Sequence, residues 1–192
     1  MGPDDITRLE VVALALVVLA VVLLFAYTLR TGISPVPTSP RVKAVMLASL
    51  PPHLDGPVHE LGAGWGTLAF ALARRYPALP VVAHELSPVP WLFLLARKAI
   101  QRAPNLTIRR ADFLEADLRA AALVTCYLYP GGMERLRPKL EAELRPGAIL
   151  LSNCFAMPGW APTATRIADD LYATPVYTYV MPHATPRGAA TS

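Results

Sequence analysis

From Val58 onward the chain alternates short apolar runs with helix-length stretches, and this alternation limits the possible folds more than any other feature. Val58–Leu61, Val81–Glu85, Leu106–Arg109, Leu123–Tyr129 and Ala148–Phe155 have the length and composition of buried strands. Helical patterns over Thr67–Tyr76, Pro90–Arg102 and Met133–Leu144 fall between them. Strand then helix, repeated, predicts an α/β domain built on a doubly wound, mostly parallel sheet with helices on both faces. Thr165–Met181 holds two further strand candidates, one ending near Tyr172 and one over Pro175–Met181, which predict an antiparallel C-terminal hairpin. Sheets of this kind bind ligands beyond the carboxyl ends of their strands, so residues at those ends carry the functional information.

The N-terminal part is different in kind. Between Glu10 and Arg30 there is no charged residue, and as a helix Val11–Leu29 spans about 28 Å, close to the hydrocarbon thickness of a bilayer. It predicts one transmembrane helix. Acids precede the run (Asp4, Asp5 and Glu10 against Arg8) and no small-residue cleavage pattern follows it, which argues against a removed signal peptide. Arg30, Arg41 and Lys43 on the far side place the following domain in the cytoplasm by the positive-inside rule. Residues 1–32 thus read as an anchor, 33–182 as the folded domain and 183–192 as a short disordered tail. Ile33–Pro40 is a proline-rich connector, and Ser39 caps a helix starting at Pro40 and running to about Leu50, with Val42, Val45, Met46 and Leu50 on its apolar face. The 54% apolar fraction owes much to the anchor, and two cysteines, Cys126 and Cys154, make no disulfide framework.

The first strand ends in Glu60-Leu61-Gly62-Ala63-Gly64-Trp65-Gly66, where the backbone must turn tightly and approach a ligand without interference from Cβ atoms. The dinucleotide pattern needs a glycine where Thr67 stands, and the Lys-Ser/Thr ending of a nucleotide-triphosphate loop is absent. Glu60 repels a pyrophosphate but suits a ligand with a cationic amino group. Glu85 closes the second strand, where a carboxylate can accept from two ribose hydroxyls. After the third strand, Asp112 can accept from an adenine amino group while Phe113 packs on the ring. Three strand ends therefore match three parts of one ligand, S-adenosylmethionine.

On these residues the chain resembles the class I S-adenosylmethionine-dependent methyltransferases, whose first motif reads acid-x-Gly-x-Gly-x-Gly. Within that class, Pro35-Val36-Pro37-Thr38 before a helix, the glycine loop, Glu85-Leu86-Ser87-Pro88 and Pro158-Gly159-Trp160 look like the small membrane-anchored protein-lysine methyltransferases that modify the ATP synthase c-subunit and the adenine nucleotide translocase. The resemblance implies a Rossmann-like fold and a cofactor site of Thr38, Glu60, Gly62, Ala63, Gly64, Gly66, Glu85, Leu86, Asp112 and Phe113. Where that family shows Asp and a Gly-Ser-Gly-Asp-Gly-like loop, this chain has Glu60 and Gly62-Ala63-Gly64-Trp65-Gly66.

Tyr127-Leu128-Tyr129-Pro130-Gly131-Gly132 ends the fourth strand, which in this architecture lies beside the transferred methyl group. Tyr127 and Tyr129 can flank an amine, and Pro130 removes a donor, leaving carbonyls to accept from it; these three are the expected catalytic residues. The Asn/Asp-Pro-Pro-aromatic motif of nucleic-acid amino-methyltransferases is missing, and no dense Lys/Arg block accompanies the formal charge of +4, so no nucleic-acid partner is expected. His53, His59, His84 and His183 show no metal spacing, and no metal is expected. The leading expectation is N-methylation of lysine on a membrane protein. The alternatives are methylation of a lipid or lipophilic small molecule, and a non-catalytic membrane-bound sensor of the cofactor.

Overall fold

The computed structural model describes residues 3–31 and 37–182. The first half of the expected connector, residues 33–36, falls outside the described residues, and the expected tail from residue 183 wholly so. Helix α1 (Pro3–Thr31) is followed by α2 (Pro40–Ala48), β1 (Val58–Leu61), α3 (Ala69–Arg75), β2 (Val81–His84) and α4 (Pro88–Gln101). Then come β3 (Leu106–Arg109), a 3-10 turn (Phe113–Glu115), β4 (Leu123–Cys126), α5 (Pro130–Glu143), β5 (Ile149–Asn153), β6 (Ala164–Ile167) and β7 (Pro175–Val180). The seven strands form one sheet in the order β3-β2-β1-β4-β5-β7-β6. The first five are parallel, while β7 runs antiparallel to both β5 and β6. From β1 the chain winds outward to β3, then returns to β4 on the other side of β1. The crevice where an open sheet of this kind takes its ligand therefore lies at the carboxyl ends of β1 and β4.

Each face of the sheet has its own core. On one, Val42 and Met46 of α2, Phe70 and Leu72 of α3 and Leu94 of α4 close over Val58, Val81, Leu106 and Leu123. On the other, Met133, Leu136 and Leu140 of α5 meet Leu61, Val124, Cys126, Leu150 and Tyr179. Ser39 caps α2 as expected, its hydroxyl accepting from the Val42 N–H at 3.2 Å, and Pro40 takes the first helical position. Every residue of β1 and β4 is buried, His59 and Glu60 included, as befits central strands of a parallel sheet covered on both faces.

Two expected elements move. The last helix starts at Pro130 rather than Met133: proline is at home in a first turn, and both glycines after it are helical, with a Cβ on Gly131 coming within 2.8 Å of the Tyr129 ring. The sixth strand is Ala164–Ile167, and the segment near Tyr172, expected to end a strand, is a turn. Asp170 organises that turn, its carboxylate accepting from the Thr174 N–H and hydroxyl at 2.8 Å each. All four residues of β6 are exposed, so the edge strand has no buried period to announce it.

The stretch Arg8–Leu29 of α1 is long and apolar enough to cross a membrane, and none of it is buried in the protein. In its C-terminal half Ala20, Leu23, Leu24, Tyr27 and Thr28 are half-buried along one stripe, and α1 packs against α4. There the Arg110 guanidinium donates to the Tyr27 hydroxyl at 3.1 Å.

Candidate active site

A cleft, open to solvent, sits at the crevice the topology defines. Its lining brings together nine residues singled out from the sequence for the cofactor: Thr38, Glu60, Gly62, Ala63, Gly64, Glu85, Leu86, Asp112 and Phe113. The loop after β1 reaches across to the end of β2, where the Gly62 and Ala63 N–H groups both donate to the His84 carbonyl at 3.0 and 2.9 Å. Glu85 then ties the two strand ends together. One of its oxygens accepts from the Gly64 N–H and the other from the Ser87 N–H, each at 2.7 Å. The carboxylate is thereby fixed at the rim, with lone pairs remaining for hydroxyl donors.

The three glycines have different duties. Gly62, Gly64 and Gly66 all have positive φ (76°, 52° and 73°), the region closed to most side chains. At Gly64 a Cβ meets nothing within 4 Å, so its missing side chain keeps the cleft open. At Gly66 a Cβ comes within 2.3 Å of Leu94 and 3.0 Å of Phe70. Gly66 lies outside the lining, and its place is set by the packing of α3 against α4.

Glu60 is the most unusual group in the site. It is 7% exposed, one carboxylate oxygen has no hydrogen-bond partner, and burial pushes its pKa up to about 8. A backbone hydrogen bond at Ala69 and the charge of Arg97 oppose that rise, while Glu85 adds to it. A buried acid with an unsatisfied oxygen facing a cleft is set to receive a cation. Asp112 caps the 3-10 turn through a 3.0 Å bond from the Leu114 N–H, which holds Phe113 half-buried at the cleft wall. Orphaned acid, open glycine, rim carboxylate and capped Asp-Phe pair together fit the ammonium, ribose and adenine of S-adenosylmethionine.

On the acceptor side only Tyr127 of the three expected catalytic residues lines the cleft. Its ring stacks on Phe155 at 6.3 Å between centroids, and burial raises its phenol pKa, keeping the hydroxyl protonated. Tyr129 and Pro130 fall outside the lining because they begin α5. The Tyr129 carbonyl, expected to be free, accepts from the Gly132 and Met133 N–H groups at 2.9 and 3.0 Å, and Pro130 is exposed.

The sequence did not point to His84, Thr67, Leu68, Ser87, Ala111 or Arg135, all of which line the cleft. His84 is 2% exposed, its Nε2 lies 3.2 Å from Nδ1 of His59, and its own Nδ1 has no partner. Burial lowers both imidazole pKa values, that of His84 to about 4, so the pair is neutral and one ring donates to the other. Only the parallel register, which sets His84 beside Leu61, brings these rings together. No group of three or more His, Cys, Asp or Glu residues suited to a metal ion occurs among the described residues.

The sheet order and the cleft at its switch point define a class I methyltransferase fold. It is shared at 19% identity and a TM-score of 0.58 with precorrin-6y C5,15-methyltransferase from Geobacter metallireducens, over 74% of this chain and 87% of that one. A Salinibacter ruber RNA methyltransferase solved with S-adenosyl-L-homocysteine is nearer, with 31% identity and a TM-score of 0.65 over 79% of this chain and 97% of that one. A protein-lysine N-methyltransferase of Saccharolobus islandicus is 31% identical over 76% of this chain and 92% of its own length. The mouse adenine nucleotide translocase lysine N-methyltransferase is 33% identical over 76% of this chain and 67% of its own. Residues 60–164 match the ANTKMT methyltransferase domain, and the chain belongs to that family. It is an S-adenosylmethionine-dependent methyltransferase of the protein-lysine kind.

Proposed function

We propose that this enzyme methylates the side-chain amine of a lysine on a membrane protein, with α1 crossing the bilayer and the catalytic domain on the cytoplasmic side. The observation that carries the reading is the apolar Arg8–Leu29 segment, none of it buried, joined to a domain whose relatives include enzymes named for lysines of adenine nucleotide translocase and of the ATP synthase c-subunit. The Arg30, Arg41 and Lys43 excess after the apolar run Val11–Leu29 supports the cytoplasmic side. An anchored domain meets membrane-embedded acceptors at high effective concentration and soluble ones rarely.

The bound cofactor supplies an electrophilic methyl group on a sulfonium. The chain has to orient both partners, exclude water and accept the lysine as a neutral amine. Glu60 pairs with the ammonium of the donor, Glu85 takes the ribose hydroxyls, and Asp112 with Phe113 holds the adenine. Leu86, Ala63, Gly62 and Thr38 complete the walls. On the acceptor side the half-buried Tyr127 hydroxyl orients the amine nitrogen. The Arg135 guanidinium, in the same lining, disfavours the ammonium form of an arriving lysine, modestly because Arg135 is itself exposed.

The Salinibacter relative is named for RNA, yet this chain has Tyr127-Leu128-Tyr129-Pro130 where nucleic-acid amino-methyltransferases carry Asn/Asp-Pro-Pro-aromatic. The test is incubation of purified full-length enzyme and methyl-labelled donor with membranes from cells lacking the gene, followed by separation of protein, lipid and RNA. Label on lysine of a small integral membrane protein is expected. Label confined to lipid or to RNA transfers the assignment to that acceptor, and saturable binding with no label anywhere makes the protein a sensor.

A further inference from the structure

Helix α4 is turned the wrong way for a helix at a water-facing surface. Its inward side is apolar, with Leu94 and Pro90 buried, but its outward side is apolar too. Leu92, Ala96, Ala99 and Ile100 recur at helical spacing on the exposed face, Leu92 at 58% and Ile100 at 81% exposure, with Phe93 and Leu95 exposed beside them. The polar residues Arg97, Lys98, Gln101 and Arg102 lie off this stripe. Arg97 is turned inward, donating to the Trp65 carbonyl at 2.8 Å and lying over the Phe70 ring. Helices of soluble domains place polar residues on such a face, and an exposed apolar stripe of this kind is normally covered.

We infer that the outward face of α4 lies in the interfacial layer of the bilayer and forms a second membrane contact that fixes the orientation of the catalytic domain. The inference rests on the proposal that α1 spans the membrane. Continuity is the first reason: α4 packs against α1, and Arg110, whose guanidinium lies over the Trp91 ring of α4, donates to the Tyr27 hydroxyl near the end of the span. A span ending there brings α4 to the depth where headgroups give way to acyl chains. Charge is the second. Lys98, Arg102, Arg109 and Arg110 edge this part of the molecule, and the three arginines are exposed, as suits anionic headgroups around a shallowly inserted apolar stripe.

Since α4 begins at Pro88, directly after the cleft residues Glu85, Leu86 and Ser87, its contact sets the cleft at a fixed short height over the bilayer. The acceptor lysine then belongs near the headgroups.

Spin labels in nanodiscs of mixed phosphatidylcholine and phosphatidylglycerol test this on the full chain. Labels go on Ala96→Cys and Ala99→Cys, with Val17→Cys on α1 and Glu134→Cys on exposed α5 as references, in a Cys154→Ser background that leaves only the buried Cys126. Collision with oxygen relative to an aqueous nickel chelate is expected to be several-fold higher at 96 and 99 than at 134, approaching position 17. Labels at 96 and 99 as wet as 134, with 17 deep, overturn the α4 contact and leave the span standing. Labels shielded from both reagents overturn it in favour of a second copy of the chain on this face. Water at position 17 removes the span and this inference with it.

Discussion

The two halves of the cleft are built on different terms. At the ends of β1 and β2 the backbone does most of the holding: positive-φ glycines, two N–H groups on the His84 carbonyl, and Glu85 bridging Gly64 and Ser87. One buried acid is left with an unsatisfied oxygen. At the end of β4 the Tyr129 carbonyl is consumed by the first turn of α5, and the cleft is faced by side chains, Tyr127 stacked on Phe155 and Arg135 beyond. A backbone cradle serves any acceptor equally well, so the donor half can be shared across a fold class. Selection among acceptors falls to the side-chain half and to whatever brings the acceptor there.

The largest effect should come from the one loop glycine that does not face the cleft. Gly66→Ala forces a Cβ into Leu94 at a left-handed φ, and a loss of about 2–5 kcal/mol in unfolding free energy is expected from strain and overpacking together. Gly64→Ala should cost about 1 kcal/mol from φ alone while weakening S-adenosylhomocysteine binding more than stability. Denaturant unfolding and calorimetry on both variants decide this, and equal stability losses would erase the distinction between packing and cradle.

Glu60 offers a pH test of the same half. Its carboxyl titrates near pH 8 in the empty protein against 4.5 unfolded, so the free enzyme is favoured below pH 4.5 and loses that advantage as pH rises through 8. A cationic ligand group favours the ionised form. Affinity for S-adenosylhomocysteine should therefore rise by up to about tenfold per unit between pH 6 and 8 and then level off, with a proton released on binding. Titration in buffers of different ionisation enthalpy measures the release. A flat profile in the wild type, or the same slope in Glu60→Gln, breaks the assignment.

The smallest effect sharpens the acceptor half. Tyr127→Phe should lower kcat by about tenfold and leave cofactor affinity within about twofold, the signature of a hydroxyl that only orients the acceptor. Tyr129→Phe should change neither, since that residue begins a helix. Single-turnover rates of the two variants on a lysine acceptor settle which tyrosine matters.

The donor half was the more legible in the sequence for the same reason that it is generic. Acid, glycines and the two later carboxylates sit at strand ends, and the position of a strand end follows from local pattern. Gly66 looked like its neighbours because φ > 0 is common to all three, and only the packing of Leu94 and Phe70 gives it a different role. On the other side, Pro130-Gly131-Gly132 has the composition of a turn, and only the structure shows the Tyr129 ring lying over glycines that are already helical. His84 was passed over because its partner comes from a neighbouring strand. The exposed β6 carried no pattern to read.

The unsatisfied oxygen of Glu60 also bears on turnover. On the proposed assignment, the groups gripped by Glu60, Glu85 and Asp112 are an ammonium, a pair of hydroxyls and an aminopurine, none of which changes when the methyl group departs. Contacts made equally before and after the reaction add grip without speeding the step. They retain the spent donor as firmly as the fresh one, apart from the lost sulfonium charge. The demethylated cofactor therefore has to leave against nearly the same grip that held the fresh donor before a further lysine can be served.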